Sequence, residues 1–184
     1  MKNACCSASD ILRGAAAGAL GGALGSTTMV LFNRLLGELG FAPDDLGRHD
    51  AQHRVDAKPN DSDATISDEP ATRKAASWTS AFLTGQPLDE AGKDVGGPIL
   101  HHAFGACLGA LYGAAAAGIP GLASGGGIPF GATVWLTAAE TGMPMAGLSR
   151  APAAYPPERH IASLLSHLVY GATVEAVRRT LRAR

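Results

Sequence analysis

Four ionisable side chains in this sequence stand where such groups are expensive. Glu140 lies in TAAETG, inside an apolar run, and Arg34 closes a charge-free stretch that begins at Gly14. His101 opens HHAFGACLGALYG, and His167 opens HLVYGATVEA. Inside a bilayer a carboxylate, an arginine and two histidines at similar depth can pair electrostatically, and ionisable groups there mark functional sites by default. Histidine titrates near neutral pH, so the same set can relay protons. The plainer reading is structural. Long charged side chains near helix ends reach water, and His101 and His102 stand near a helix start, where they are hydrated.

Other chemistry finds little support. There is no GxSxG, no Walker sequence and no HExxH, so no catalytic residue and no enzyme activity is expected. His49 and His53 are four apart in a hydrophilic stretch without further ligands, so no metal or other cofactor is expected. Cys5, Cys6 and Cys107 make no disulfide framework. Ser26, Thr27, Thr28, Thr133 and Thr137 are expected to bond helix carbonyls or cross-helix partners rather than act as nucleophiles. Glu175, followed by Arg178 and Arg179, reads as an ion pair along one helix end.

What must position the candidates is a set of apolar helices. Residues 95–139 contain no Asp, Glu, Lys or Arg. That run is long enough for two crossings of about 20 residues each. The uncharged run from Gly14 to Asn33 exceeds the apolar core of a usual signal peptide, so it reads as a retained helix. The fold class expected is all-α: a polytopic membrane protein with four transmembrane helices, over about 11–36, 95–118, 122–143 and 157–177. A hydrophilic loop, 37–94, separates the first two, with an interfacial helix over 71–83 that carries Trp78 and Phe82. The fourth span is the weakest, because its uncharged core runs only from Ile161 to Val174.

Glycine repeats every fourth residue at Gly14, Gly18 and Gly22, and again at Gly105, Gly109 and Gly113. Each glycine costs a soluble helix about 1 kcal/mol against alanine. In a bilayer, where lipid is as apolar as leucine, such rows let helix backbones approach closely. Gly171 belongs with them through an internal repeat. HHAFGACLGA aligns with HLVYGATVEA at an offset of 66, pairing His101 with His167 and Gly105 with Gly171. The first and third helices align more weakly at 106, pairing Gly21 with Gly127 and Gly25 with Gly131. The chain thus reads as two similar helical hairpins.

The formal net charge of -1 argues against a nucleic-acid partner. The partners expected are the lipid bilayer and, in a homo-oligomer, a second copy of the chain. Four spans put both termini on one side. Arg178, Arg179, Arg182 and Arg184 make that side the cytoplasmic one.

At HHAFGACLGALYG, SHLVYGA and the first-helix stretch RGAAAGALGG, with a proline-rich link before the last helix, the chain resembles the YagU-like family of small bacterial inner-membrane proteins. The resemblance implies four helices, a multi-pass place in the inner membrane and a role in acid tolerance, and it supplies no catalytic residues. The long hydrophilic loop departs from its pattern. The function expected is therefore a non-enzymatic inner-membrane protein that supports envelope or acid-stress tolerance. The alternative is a small transporter or channel component with a polar His/Glu site.

Overall fold

A computed structural model of the protein describes residues 7–41, 69–119 and 121–182. Cys5, Cys6, His49, His53 and Pro120 lie outside the described residues. All regular structure among those described is helical.

Helix α1 spans Ala8–Glu38. Ser7 caps it. The Ser7 hydroxyl accepts from the Asp10 amide at 3.2 Å, and the Ser7 amide donates to the Asp10 carboxylate at 3.2 Å. This reciprocal box satisfies two amides that a helix start leaves open. Helix α2 spans Ala71–Thr84 and stops at Gly85, whose φ of 78° is left-handed. Helix α3 spans Glu90–Gly118, capped by Asp89, which accepts from the Gly92 amide at 2.8 Å. Within the segment 37–94, α2 matches the helix expected over 71–83, and the first turn of α3 begins before the expected start at 95.

The third apolar segment differs from the expected single helix. Residues 121–127 form turns, and helix α4 covers only Ile128–Val134, with Pro129 in its first turn. Proline there has no intrahelical donor to lose. The chain then widens into a π-helical segment, Trp135–Gly142, and closes with the short α5, Met143–Met145. Thr141 Oγ1 donates to the Leu136 carbonyl five residues back, at 2.8 Å, in keeping with the wider turn. A 3-10 turn at Pro152–Ala154 precedes α6, Pro157–Arg182.

Small residues decide the packing. Gly14, Gly18 and Gly22 of α1 face Gly113, Gly109 and Gly105 of the antiparallel α3, one opposite one. A Cβ on any of the six would run into backbone or side-chain atoms of the facing helix. The neighbouring row on α1 meets α6, Gly21 against Val174 and Gly25 against the Tyr170 ring. Gly127, just ahead of α4, and Gly131 within it press in turn on Gly171 and His167 of α6. The helices therefore stand in the order α3, α1, α6, α4. At one end α3 and α4 also meet, where Tyr112 stacks on Phe130 with centroids 4.3 Å apart. Tyr170 locks three helices together, donating its hydroxyl to the Gly105 carbonyl at 2.6 Å.

These contacts place Gly22–Gly105 and Gly127–Gly171 in matching roles. The offset between the first and third helices is then 105, one residue from the 106 that the sequence alignment suggests. Gly21 and Gly25, paired in sequence with Gly127 and Gly131, belong to the other face of α1.

Many large apolar side chains stand outward around a small core of Tyr112, Val134, Tyr170 and Val174. The side chains most completely enclosed are Glu175, Val174, Ser26 and Ser166, while Leu20 is 58% exposed and Leu111 68%. α1 and α3 are each long and apolar enough to cross a membrane.

Candidate functional site

Polar chemistry collects at two levels of this helix assembly, with a histidine level between them. At the end away from the described termini, the π segment presents Glu140 to His160 in the first turn of α6. His160 Nδ1 lies 2.9 Å from the carboxylate, and Nε2 lies 3.0 Å from the Pro152 carbonyl oxygen. Both partners are acceptors when Glu140 is ionised, so making both bonds at once takes a ring that carries hydrogen on each nitrogen. The pair ties the π segment to the link ahead of α6. Beside it lies a cavity of about 150 Å³, with Arg150, Tyr155, Arg159 and Met143 also on its wall. Arg159 sits over the Tyr155 ring, its Cζ 3.7 Å from the centroid.

The histidine level lies deeper. His167 donates from Nδ1 to the Ser163 carbonyl at 2.7 Å. His101 and His102 rings stand edge to face, 5.7 Å apart. His102 is the better satisfied, since Nδ1 donates to the Pro98 carbonyl at 2.9 Å and Nε2 lies 3.2 Å from the Thr27 hydroxyl. Among the described residues His101 Nε2 and Trp135 Nε1 are buried without a hydrogen-bond partner. His101 and His167 are electrostatic neighbours, as are His167 and Glu140. Charge interaction thus links His101 to His167 and His167 to Glu140, while Glu140 makes its hydrogen bond to His160. Arg34 is exposed near the end of α1 and joins none of them.

The other end holds what the sequence reading undervalued. Glu175 is 1% exposed and accepts four bonds. Tyr112 of α3 donates to Oε2 at 3.0 Å. Arg178 forks across both oxygens at 2.7 Å each, and Arg179 reaches Oε1 at 2.5 Å. Arg179 also donates to the Ala123 carbonyl at 2.9 Å, which fastens the 121–127 turns to α6. A helix-end pair in water would be worth little. Here Glu175 and Arg178 are both enclosed, so losing either one strands the other as a buried charge. The signal available in sequence was Tyr112, a lone phenol in the apolar run 103–118 that needs a polar partner when buried.

Near the far end α2 is held by a network rather than by apolar packing alone. Arg73 pairs with Glu69 at 3.4 Å, with Glu90 at 2.9 Å and with Asp94. Lys93 reaches Glu69 at 3.2 Å and Glu90 at 3.0 Å. Trp78, Phe82 and Leu83 are left outward.

The histidine–glycine helices α3 and α6, and the glycines at the start of α4 between them, form one continuous stretch of chain. Residues 87–176 match DUF1440, a family described as protein of unknown function. The DUF1440 match covers just under half of the chain and includes both motifs at His101 and His167 that carry the YagU-like resemblance. It takes in Tyr112, Glu140, His160 and Glu175, and it leaves out α1 and the two arginines that hold Glu175. No curated protein and no solved structure matches the chain.

Proposed function

We propose that this protein is an integral inner-membrane protein of four crossing helices, without enzyme activity, that supports the bacterial envelope under stress, acid stress included. The observation that carries the membrane reading is the outward stance of many large apolar side chains, with glycine, serine and an ion cluster inside. Only a surrounding that is itself apolar makes that arrangement favourable, because helices there gain nothing by hiding leucine from one another. α6 runs along α1 from Val174 to Ser166, and α4 with the π segment runs along α6, so all four lie at one depth. The cationic end of α6 supports cytoplasmic termini. The stress role rests on the YagU-like resemblance.

Reporter fusions within the 121–127 turns, within residues 42–68 and at the C-terminus test the topology. The first and last should report the cytoplasm, and the middle one the opposite side. A middle fusion on the cytoplasmic side sinks the four-span reading. Survival of a strain lacking the protein, compared with its parent at acid pH, tests the stress role, and equal survival removes it.

A second reading, a small transporter or channel component, draws on the electrostatic link from His101 through His167 to Glu140 and on the unpartnered His101 Nε2. Proteoliposomes carrying a pH-sensitive dye discriminate. Proton flux that His101→Ala and His167→Ala both abolish favours transport, and flux no greater than in empty vesicles discards it.

A further inference from the structure

We propose that His160 is a pH-operated clasp: with a doubly protonated ring it holds the 149–156 link against the π segment, and it gives way when the ring loses a proton. The clasp depends on local geometry and not on the stress role above. His160 bridges two elements. Its Nδ1 lies 2.9 Å from each Glu140 oxygen in the π segment, and its Nε2 lies 3.0 Å from the Pro152 carbonyl oxygen in the link. With Glu140 ionised both neighbours are acceptors, and a neutral imidazole has one N–H to give. The two bonds therefore coexist only on the doubly protonated ring. On deprotonation the remaining hydrogen stays with the carboxylate, because a bond to a charged acceptor is about twice as strong as one to a neutral carbonyl. Nε2 then turns a lone pair toward the Pro152 oxygen, and an attraction becomes a repulsion.

The link is built to let go. The Pro152 carbonyl also accepts from the Tyr155 amide at 3.1 Å, so it keeps a partner when His160 releases it. The chain is anchored just ahead of the link, where the Leu148 amide donates to the Met143 carbonyl at 2.9 Å and the Leu148 side chain is buried. Beyond that anchor Ala151, Ala153, Ala154 and Pro156 are exposed. The cavity of about 150 Å³ has Arg150, Pro152 and Tyr155 of the link on its wall together with Glu140 and Met143, so a link that swings away widens it. The ionisable groups around the ring are Glu140 from the π segment, Arg150 and Tyr155 from the link and Arg159 from α6 itself, while α2 contributes Ala71 to the wall. His167 interacts in charge with Glu140 from the deeper level. Histidine is the residue type whose charge changes between about pH 5 and 8, so His160 is the member of this wall fitted to switch near neutrality.

The test uses the full chain in a neutral detergent, with Cys5, Cys6 and Cys107 changed to alanine and a nitroxide attached through Ala153→Cys, an exposed position on the link. Electron paramagnetic resonance reads the mobility of the label, which has no titration of its own, between about pH 5 and 9. The ratio of mobile to immobile label should rise with pH in a single one-proton step, by about tenfold or more across it. His160→Phe should be mobile throughout, without a step, and His167→Ala should keep the step. Glu140→Gln removes the charge that favours the imidazolium, so its step should fall to lower pH by about one unit or more. A histidine that only packs would show no such dependence, and this mild variant together with the parent profile keeps the test decisive if His160→Phe does not fold. No step in the parent, mobility that falls as pH rises, a step that survives in His160→Phe, a step that vanishes in His167→Ala, or a step that Glu140→Gln does not lower each overturns the clasp.

Discussion

Replacing Gly109 with alanine sets two known effects against each other. Intrinsic propensity favours alanine over glycine in a helix by about 1 kcal/mol. The new methyl group, however, would overlap the Gly18 carbonyl oxygen and lie 2.9 Å from Gly22 Cα and 3.0 Å from Gly22 N. All three obstacles are backbone, so no side chain can turn aside, and the α1–α3 seam must open. Forcing an extra methyl into a close-packed contact costs about 1–3 kcal/mol. Opening the seam also loosens Gly14–Gly113 and Gly22–Gly105 on either side, which places the cost at the upper end of that range. The net expectation is a loss of about 1–2 kcal/mol. Gly118→Ala supplies the control, since nothing lies within 4 Å of its added Cβ. There propensity acts alone, and stability should hold or rise slightly. Denaturant titration of both variants in mixed micelles, followed by far-ultraviolet circular dichroism, gives the comparison. If Gly109→Ala proves as stable as Gly118→Ala, the close approach of α1 to α3 is refuted. Gly109→Leu should be worse still, with a folded yield far below that of Leu108→Ile.

Three further outcomes follow from the same contacts. Glu175→Gln strands Arg178 inside the protein and should destabilise it by about 3–5 kcal/mol, whereas Arg179→Gln, on a side chain 59% exposed, should cost no more than about 1 kcal/mol. The two would be ranked by thermal inactivation in detergent, and the reverse order refutes a buried cluster. Tyr112→Phe keeps the stack on Phe130 and loses only the bond to Glu175, for about 1.5–3 kcal/mol by denaturant titration. A loss no larger than that of a surface substitution would show that this bond is unimportant. With Trp135→Phe, Trp78 remains as the sole tryptophan, and its fluorescence should be quenched best by lipids brominated close to the headgroup if α2 lies in the interface. No quenching at any depth would place α2 in water.

Much of the packing was legible because glycine spacing is itself a geometric statement. Three residues four apart on each of two helices predict a seam, and Gly14, Gly18 and Gly22 meet Gly113, Gly109 and Gly105. What spacing could not resolve was which of two adjacent rows on α1 faces which neighbour. Gly21 and Gly22 are equally small, and a shift of one residue turns the helix by 100° to another partner, which is why the repeat aligned one residue out. The pairing of Glu175 with Arg178 and Arg179 was read from the sequence, but its enclosure was not, for a different reason. A carboxylate with arginines three and four residues on looks the same whether the helix end is wet or enclosed. Enclosure here depends on the turns that fold residue 123 back onto α6 and on Tyr112 from a distant helix. Glu140 was recognised as an ionisable group in an apolar run. Its partner was missed because the link from 143 to 157 returns the chain, so that the start of α6 lies beside the π segment.

The arginines at positions 178 and 179 have a meaning for how the protein is made. On the four-span reading α6 is synthesised after α1, α3 and α4, so its carboxylate would enter an apolar surrounding before it is enclosed by them. A bare carboxylate would oppose that entry. Glu175 instead carries its counterions on the same helix, within one turn, and their geometry needs no other part of the chain. The helix can therefore partition with its charge already compensated. Docking onto α3 then adds the phenol of Tyr112, the one ligand of the cluster that must come from elsewhere.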